Sequence, residues 1–227
     1  MTEYKELSDL ILYSHKIGDN KAYIQGGGGN TSIKLDDQWM AIKASGRSLM
    51  EMSSNDGFCI VDYDQTREYL ESPDSDDSQF TKAIQSFTKG SDSRPSMETG
   101  FHAICKKSVI HTHSVYVNLL TCSKEGPSIA KELFPSSIWI NYETPGRDIT
   151  LRIKQVLDSE IPSVIFLENH GVIISDEQMK KAYDIHEDVN KKIQTKLNLA
   201  QYPFEVARSC IDIEVMKEEL ESIEREL

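Results

Sequence analysis

The sequence predicts a mixed α/β fold, and three observations carry that expectation. Apolar residues recur at helical spacing near the start (Tyr4, Leu7, Leu10, Ile11). Two β-rich runs, Thr31 to Leu35 and Trp39 to Ala44, are joined by a short Asp36-Asp37-Gln38 turn. Two further apolar runs, Val164-Ile165-Phe166-Leu167 and Val172-Ile173-Ile174, flank Glu168-Asn169-His170-Gly171 as a buried strand pair with a turn at its tip. With 227 residues and no internal repeat or compositional boundary, residues 1–227 are expected to form a single domain with a substantial core.

Along the chain, the first helix covers Glu3 to about Ile17, with His15 near its end complementing the helix dipole. Gln25-Gly26-Gly27-Gly28-Gly29-Asn30-Thr31-Ser32 then leads into the hairpin. Glycines there open backbone conformations closed to other residues and let main-chain amides approach a ligand. After the hairpin, Lys43-Ala44-Ser45-Gly46-Arg47-Ser48 is a second turn of small residues, and Phe58-Cys59-Ile60-Val61 reads as a buried strand. The acidic stretch from Asp62 to Asp92, most extreme at Asp74-Ser75-Asp76-Asp77, is expected to be a solvated loop or exposed helix.

Ser93-Arg94-Pro95-Ser96-Met97-Glu98-Thr99 has the hydroxyls and proline of a helix start, the helix continuing through Ile104. Glu98 there either complements the helix dipole or does chemistry, while His102 is read as structural. The strand Val109-Ile110-His111-Thr112-His113 follows, then a helix over Val115 to Thr121, broken at Gly126-Pro127. Ile138-Trp139-Ile140 is a short strand, Tyr142-Glu143-Thr144-Pro145-Gly146 a turn, and Ile149, Ile153, Val156 and Leu157 mark another helix face. Ser175-Asp176-Glu177-Gln178 has the pattern of a capping box opening a helix to about Ala200. Val215, Met216, Leu220, Ile223 and Leu227 line a terminal helix.

A formal charge of −12 argues against nucleic acid and against anionic membrane surfaces, which require a basic face. A small anion can still be held locally by backbone amides and a few cationic side chains. Cys59, Cys105, Cys122 and Cys210 include no C-x-x-C pair, the N-terminal residues have no signal-peptide character, and no apolar run is long enough to span a bilayer. The expectation is a reduced, cytoplasmic protein.

His111 and His113 alternate on a strand and therefore share a face. Joined by His170 and Glu98, they would supply three imidazoles and a carboxylate to one divalent ion, with room left for substrate. Each component has a plainer reading: a solvated strand edge for the His-x-His pair, a polar turn for His170.

Taken together, Gly28-Gly29-Asn30-Thr31-Ser32, Lys43-Ala44-Ser45-Gly46, Pro95-Ser96-Met97-Glu98, His111-Thr112-His113, Tyr142-Glu143-Thr144-Pro145-Gly146 and Asn169-His170-Gly171 resemble the ordered motifs of the class II aldolase/adducin family. The resemblance covers essentially the whole chain. It implies a three-layer α/β/α fold with a central, mostly antiparallel sheet, in a homotetramer with active sites between subunits. It implies one Zn2+ per subunit, or another divalent metal, on His111, His113 and His170, with Glu98 as acid/base and extra ligand at rest. The phosphate of a sugar substrate would lie on Gly29 and Asn30, Ser45 and Gly46, and Ser96 and Met97. The implied reaction is reversible cleavage of a ketose 1-phosphate to dihydroxyacetone phosphate and a short aldehyde.

This chain departs from the aldolase pattern in offering no tyrosine as second proton donor between Gly126 and Phe134, where Glu132 is the nearby acid. Related dehydratases keep the glutamate matching Glu98, whereas related 4-epimerases carry aspartate. Adducin-type interaction modules lack metal ligands that this chain retains.

Overall fold

The computed structural model describes residues 2–72, 77–90, 93–157 and 160–201. Its strands are β1 (Asn30–Lys34), β2 (Trp39–Lys43), β3 (Phe58–Asp62), β4 (Thr88–Lys89), β5 (Ser108–Thr112), β6 (Ile138–Ile140), β7 (Val164–Leu167) and β8 (Gly171–Asp176). They form one sheet in the order β4-β3-β2-β1-β5-β8-β7-β6. All neighbouring pairs are antiparallel except β6 with β7, so the expected mostly antiparallel sheet is present, with one parallel edge.

Strand alternation sorts the side chains onto two faces, and each face is covered by helices. Ile33, Ala41, Ile110, Phe166, Val172 and Ile174 point to a core shared with α1 (Thr2–Gly18), α5 (Val115–Thr121), α6 (Gly126–Leu133) and α8 (Met179–Lys196). On the other face Met40, Ile42 and Val61 meet α2 (Tyr63–Glu71) and α3 (Asp77–Ser86). Val109, Ile165, Leu167 and Ile173 on that face meet α4 (Thr99–Ile104) and α7 (Arg147–Val156). The result is the expected three-layer α/β/α arrangement.

The β1–β2 turn is fixed by Asp36, whose carboxylate accepts from the backbone N–H groups of Gln38 at 2.8 Å and Trp39 at 2.7 Å. Register then builds the site: Asn30 of β1 lies opposite His111 of β5, Thr112 opposite Val172 of β8, and Leu167 opposite Gly171 across the β7–β8 turn. Three segments far apart in sequence meet at one end of the central strands.

Several local expectations are corrected. The acidic stretch is helical, one of its two expected forms, but not simply exposed: α2 buries Tyr63, Thr66 and Leu70, and α3 buries Phe80 and Ile84. Acidic surface residues hid a helical apolar stripe, and Asp62 itself caps α2 by accepting from the Gln65 N–H at 2.9 Å. Residues 74–76 of its extreme lie outside the described residues.

The capping box does not form. Ser175 belongs to β8 and its hydroxyl donates to Pro162 O, while α8 starts after Gln178 without a side-chain cap. Pro95 bridges to Ala44 rather than opening a helix, so α4 begins only at Thr99. Gly126 and Pro127 do not break α5, which already ends at Thr121; they begin α6, which periodicity had not indicated. The expected terminal helix lies outside the described residues.

Candidate metal centre

His111 is the penultimate residue of β5, and His113 follows its end. Their rings turn to the α4 side of the sheet, with Nε2 atoms 3.0 Å apart. The β7–β8 turn brings the His170 ring to centroid distances of 5.0 Å from His111 and 4.9 Å from His113. Asn169 makes this turn possible by adopting a left-handed conformation (φ 54°). Gly171 then lets β8 close against β5, since a Cβ there would stand 2.3 Å from Thr112 O.

Glu98, at the N-terminus of α4, completes the group. Its Oε2 lies 3.5 Å from His111 Nε2 and its Oε1 3.2 Å from His170 Nε2. One donor atom from each of the four residues falls within 4.8 Å of every other. Ligands held at about 2.1 Å around a tetrahedral Zn2+ are about 3.4 Å apart, so the observed spacings match what a single divalent ion demands. Glu98 Oε1 is buried and takes no well-aligned hydrogen bond, its nearest neighbour being His170 Nε2 at 3.2 Å, and a cation would satisfy it. These residues fit a divalent metal.

The electrostatics agree with that fit. Burial alone would raise the Glu98 carboxyl, but the adjoining His111 and His170 rings and the Asn30 amide outweigh it and hold it below the ordinary carboxylate range. Burial pushes His111 down to about 3 against the pull of Glu98, and burial and the His170 ring lower His113. Metal binding requires this state, an anionic carboxylate beside neutral imidazoles. His111 Nδ1 lies 3.0 Å from Val172 O; a carbonyl only accepts, so Nδ1 carries the hydrogen and Nε2 keeps its lone pair for a metal.

The three loops expected to hold phosphate are neighbours. Asn30 Nδ2 donates to Ser96 Oγ at 3.2 Å and to Glu98 Oε2 at 2.8 Å, and Ser96 Oγ also accepts the Glu98 N–H at 3.2 Å. Gly29 (φ 67°) and Gly46 (φ 76°) both use the left-handed region. Gly29 is also confined by packing, since a Cβ would lie 2.4 Å from Ile24 Cδ1 and 2.9 Å from His111 O. Ser45 and Met97 are exposed beside these loops. The Ser45 N–H donates to Arg94 O at 2.7 Å, which ties the Ser45 loop to the segment leading into Ser96. Glu132 is not part of this assembly: it stands on α6, on the other face of the sheet, paired with Lys196 at 2.6 Å.

Three supports escaped the sequence reading. Buried Lys43 donates to Arg47 O at 2.6 Å and Gly27 O at 3.3 Å, tying the glycine loop to the Ser45 loop. His102, read as structural, hydrogen-bonds Asn30. On the opposite face, the neighbours of His113 are anchored to α8: Thr112 Oγ1 lies 2.8 Å from His186 Nε2, and the Ser114 hydroxyl donates to Asn190 Oδ1. The one usable signal was spacing, because His102 is four residues after Glu98 and Asn30 and Ser32 alternate on β1.

The sequence model described as the Class II Aldolase and Adducin N-terminal domain matches residues 8–197. An uncharacterized oxidoreductase, YuxG of Bacillus subtilis, is 25% identical over 86% of this chain, which covers 30% of that protein. Methylthioribulose-1-phosphate dehydratase of Pectobacterium atrosepticum is 29% identical over 57% of this chain and 55% of its own length. The chain thus spans about half or less of these two relatives. L-fuculose phosphate aldolase of Methanococcus maripaludis is 23% identical over 78% of this chain and 88% of its own. Among solved structures, the N-terminal class II aldolase domain of a conserved protein from Thermoplasma acidophilum superposes with a TM-score of 0.75 at 22% identity, covering 85% of this chain and 93% of that one. None of the described helices is long and apolar enough to cross a membrane.

Proposed function

Because this chain belongs to the class II aldolase and adducin family, we propose that it is a metal-dependent lyase that reversibly cleaves a ketose 1-phosphate into dihydroxyacetone phosphate and a short aldehyde. One observation carries the reading: His111, His113, His170 and Glu98, drawn from three separate segments, meet at the spacing of ligands around one ion. Three imidazoles and a carboxylate gathered around a buried Glu98 and His111 cost too much desolvation to serve packing alone. The role of Glu98, and those of Gly29, Asn30, Ser45, Gly46, Ser96 and Met97 toward phosphate, are part of the same proposal.

A divalent cation on this group supplies electrophilic stabilisation of the negative charge that develops on the ketose oxygens as the C3–C4 bond breaks. The chain supplies the rest. Glu98 exchanges its place beside the rings for a proton-transfer role, taking a proton from the substrate hydroxyl or returning one to the carbon left by the departing aldehyde. The Ser96 loop that orients Glu98 also borders the anion pocket, so binding the phosphate and placing the base are achieved by one segment. In this scheme subunit assembly as a homotetramer would complete the aldehyde side.

The runner-up is a ketose-1-phosphate dehydratase, favoured by the 29% identity to methylthioribulose-1-phosphate dehydratase over 57% of this chain. Metal analysis followed by incubation with a panel of ketose 1-phosphates separates the two. Release of dihydroxyacetone phosphate supports the aldolase, and loss of water with the carbon chain intact replaces it by the dehydratase. Bound metal with no turnover at high enzyme concentration would leave a metal-binding interaction module.

A further inference from the structure

One buried titratable side chain beside the metal centre touches none of its four members. His102 is fully buried on α4, one turn beyond Glu98, with the Phe101 ring stacked on it at 4.8 Å. Its ring links two residues of β1: Nδ1 lies 2.6 Å from Ser32 Oγ, and Nε2 bonds to Asn30 Oδ1. An amide oxygen only accepts, so Nε2 carries the hydrogen, and Nδ1 accepts from the Ser32 hydroxyl. With its oxygen held in this way, the Asn30 amide must point its nitrogen the other way, where it donates to Glu98 Oε2 at 2.8 Å and Ser96 Oγ at 3.2 Å. A reversed amide would set its oxygen against the Glu98 carboxylate, two acceptors face to face in a buried site.

We infer that His102 is a positioning residue: through the Asn30 amide it holds one oxygen of Glu98, leaving the other aimed at the histidine cluster. This rests on the proposed metal-binding role of that cluster. The relay is unchanged across the neutral range, because burial pushes His102 down to about 3 and keeps it uncharged. It also explains why a fully buried ring sits where an aliphatic side chain would fill space at lower desolvation cost.

The test is zinc affinity of the metal-free protein, measured by competition with a chromophoric chelator and without substrate. His102→Leu is expected to bind Zn2+ about 10- to 100-fold more weakly, the usual effect of removing a group that orients a ligand. His102→Gln, whose amide nitrogen reaches the place of Nε2, is expected to restore affinity to within a few-fold of wild type. Should the leucine variant not fold, His102→Met fills the same space with a flexible side chain and takes its place. Undiminished affinity in the apolar variant overturns the inference, as does an equal loss in the glutamine variant at wild-type thermal stability. If the wild-type protein itself binds no divalent ion, the metal reading falls and takes the inference with it. Wild-type binding with an indifferent His102 removes the inference alone.

Discussion

Glu98 combines two demands that pull apart, a fixed anionic ligand and a mobile base, and conservative replacement separates them. Glu98→Gln keeps an oxygen donor and the side-chain size but loses the charge and the base. It is expected to load with metal at high metal concentration while kcat falls by about 10²- to 10⁴-fold. A near-normal rate in metal-loaded protein would remove Glu98 from proton transfer. His113→Ala deletes one member of the ligand group, so both metal content and activity should fall, with metal binding at least about 10-fold weaker. Full occupancy by elemental analysis would count against His113 as a ligand. At this scale the sequence was informative about residue identity. His111, His113, His170 and Glu98 were all marked by type and motif, whereas Lys43 was given no role within its motif and His102 was read as structural, because their importance lies in partners distant along the chain.

Strand β5 works as a two-sided device. Its odd-numbered histidines face the cluster, while Thr112 and the following Ser114 face α8 and are hydrogen-bonded to it. Alternation converts those bonds into positional control of His113, which lies between them. Thr112→Val preserves shape and branching but deletes the hydroxyl, leaving the buried His186 Nε2 with only the longer contact to Asn190 Nδ2 at 3.3 Å. It should lower stability by about 1–3 kcal/mol in urea unfolding and weaken metal binding with it. Unchanged stability and affinity together would show that the α8 anchors are dispensable. Strands and hairpins were legible because periodicity and turn residues act locally; the missed elements failed for identifiable reasons. Charges masked the apolar stripes of α2 and α3, Gly126-Pro127 signals an end as readily as a start, and the Ser175 capping pattern was overridden by β8 pairing.

For the molecule as a whole, the buried imidazoles make stability pH-dependent. His102 changes from an ordinary value of 6.5 to about 3 on folding, so between those values the unfolded chain binds more protons than the folded one. Stability is therefore full above pH 6.5 and declines as pH falls, by about 1.4 kcal/mol per pH unit from this ring. Glu98, lowered by its neighbours, adds a loss in the same direction once pH drops through the carboxylate range. Metal-free protein should thus be at least about 2 kcal/mol less stable to urea at pH 5 than at pH 7, the contribution of the His102 ring alone. Equal stabilities at the two values would mean that these rings are not buried as neutral groups. By itself the sequence determined the layer types, most strand positions and the chemistry-bearing residues, since each depends on residue identity and short-range spacing. Only the tertiary structure decided that three rings and a carboxylate share one centre, that Glu132 lies on the far face, and that Asn30 is committed to Glu98. Those outcomes depend on strand order and register, which are set by the packing of the whole sheet and not by any local run of residues.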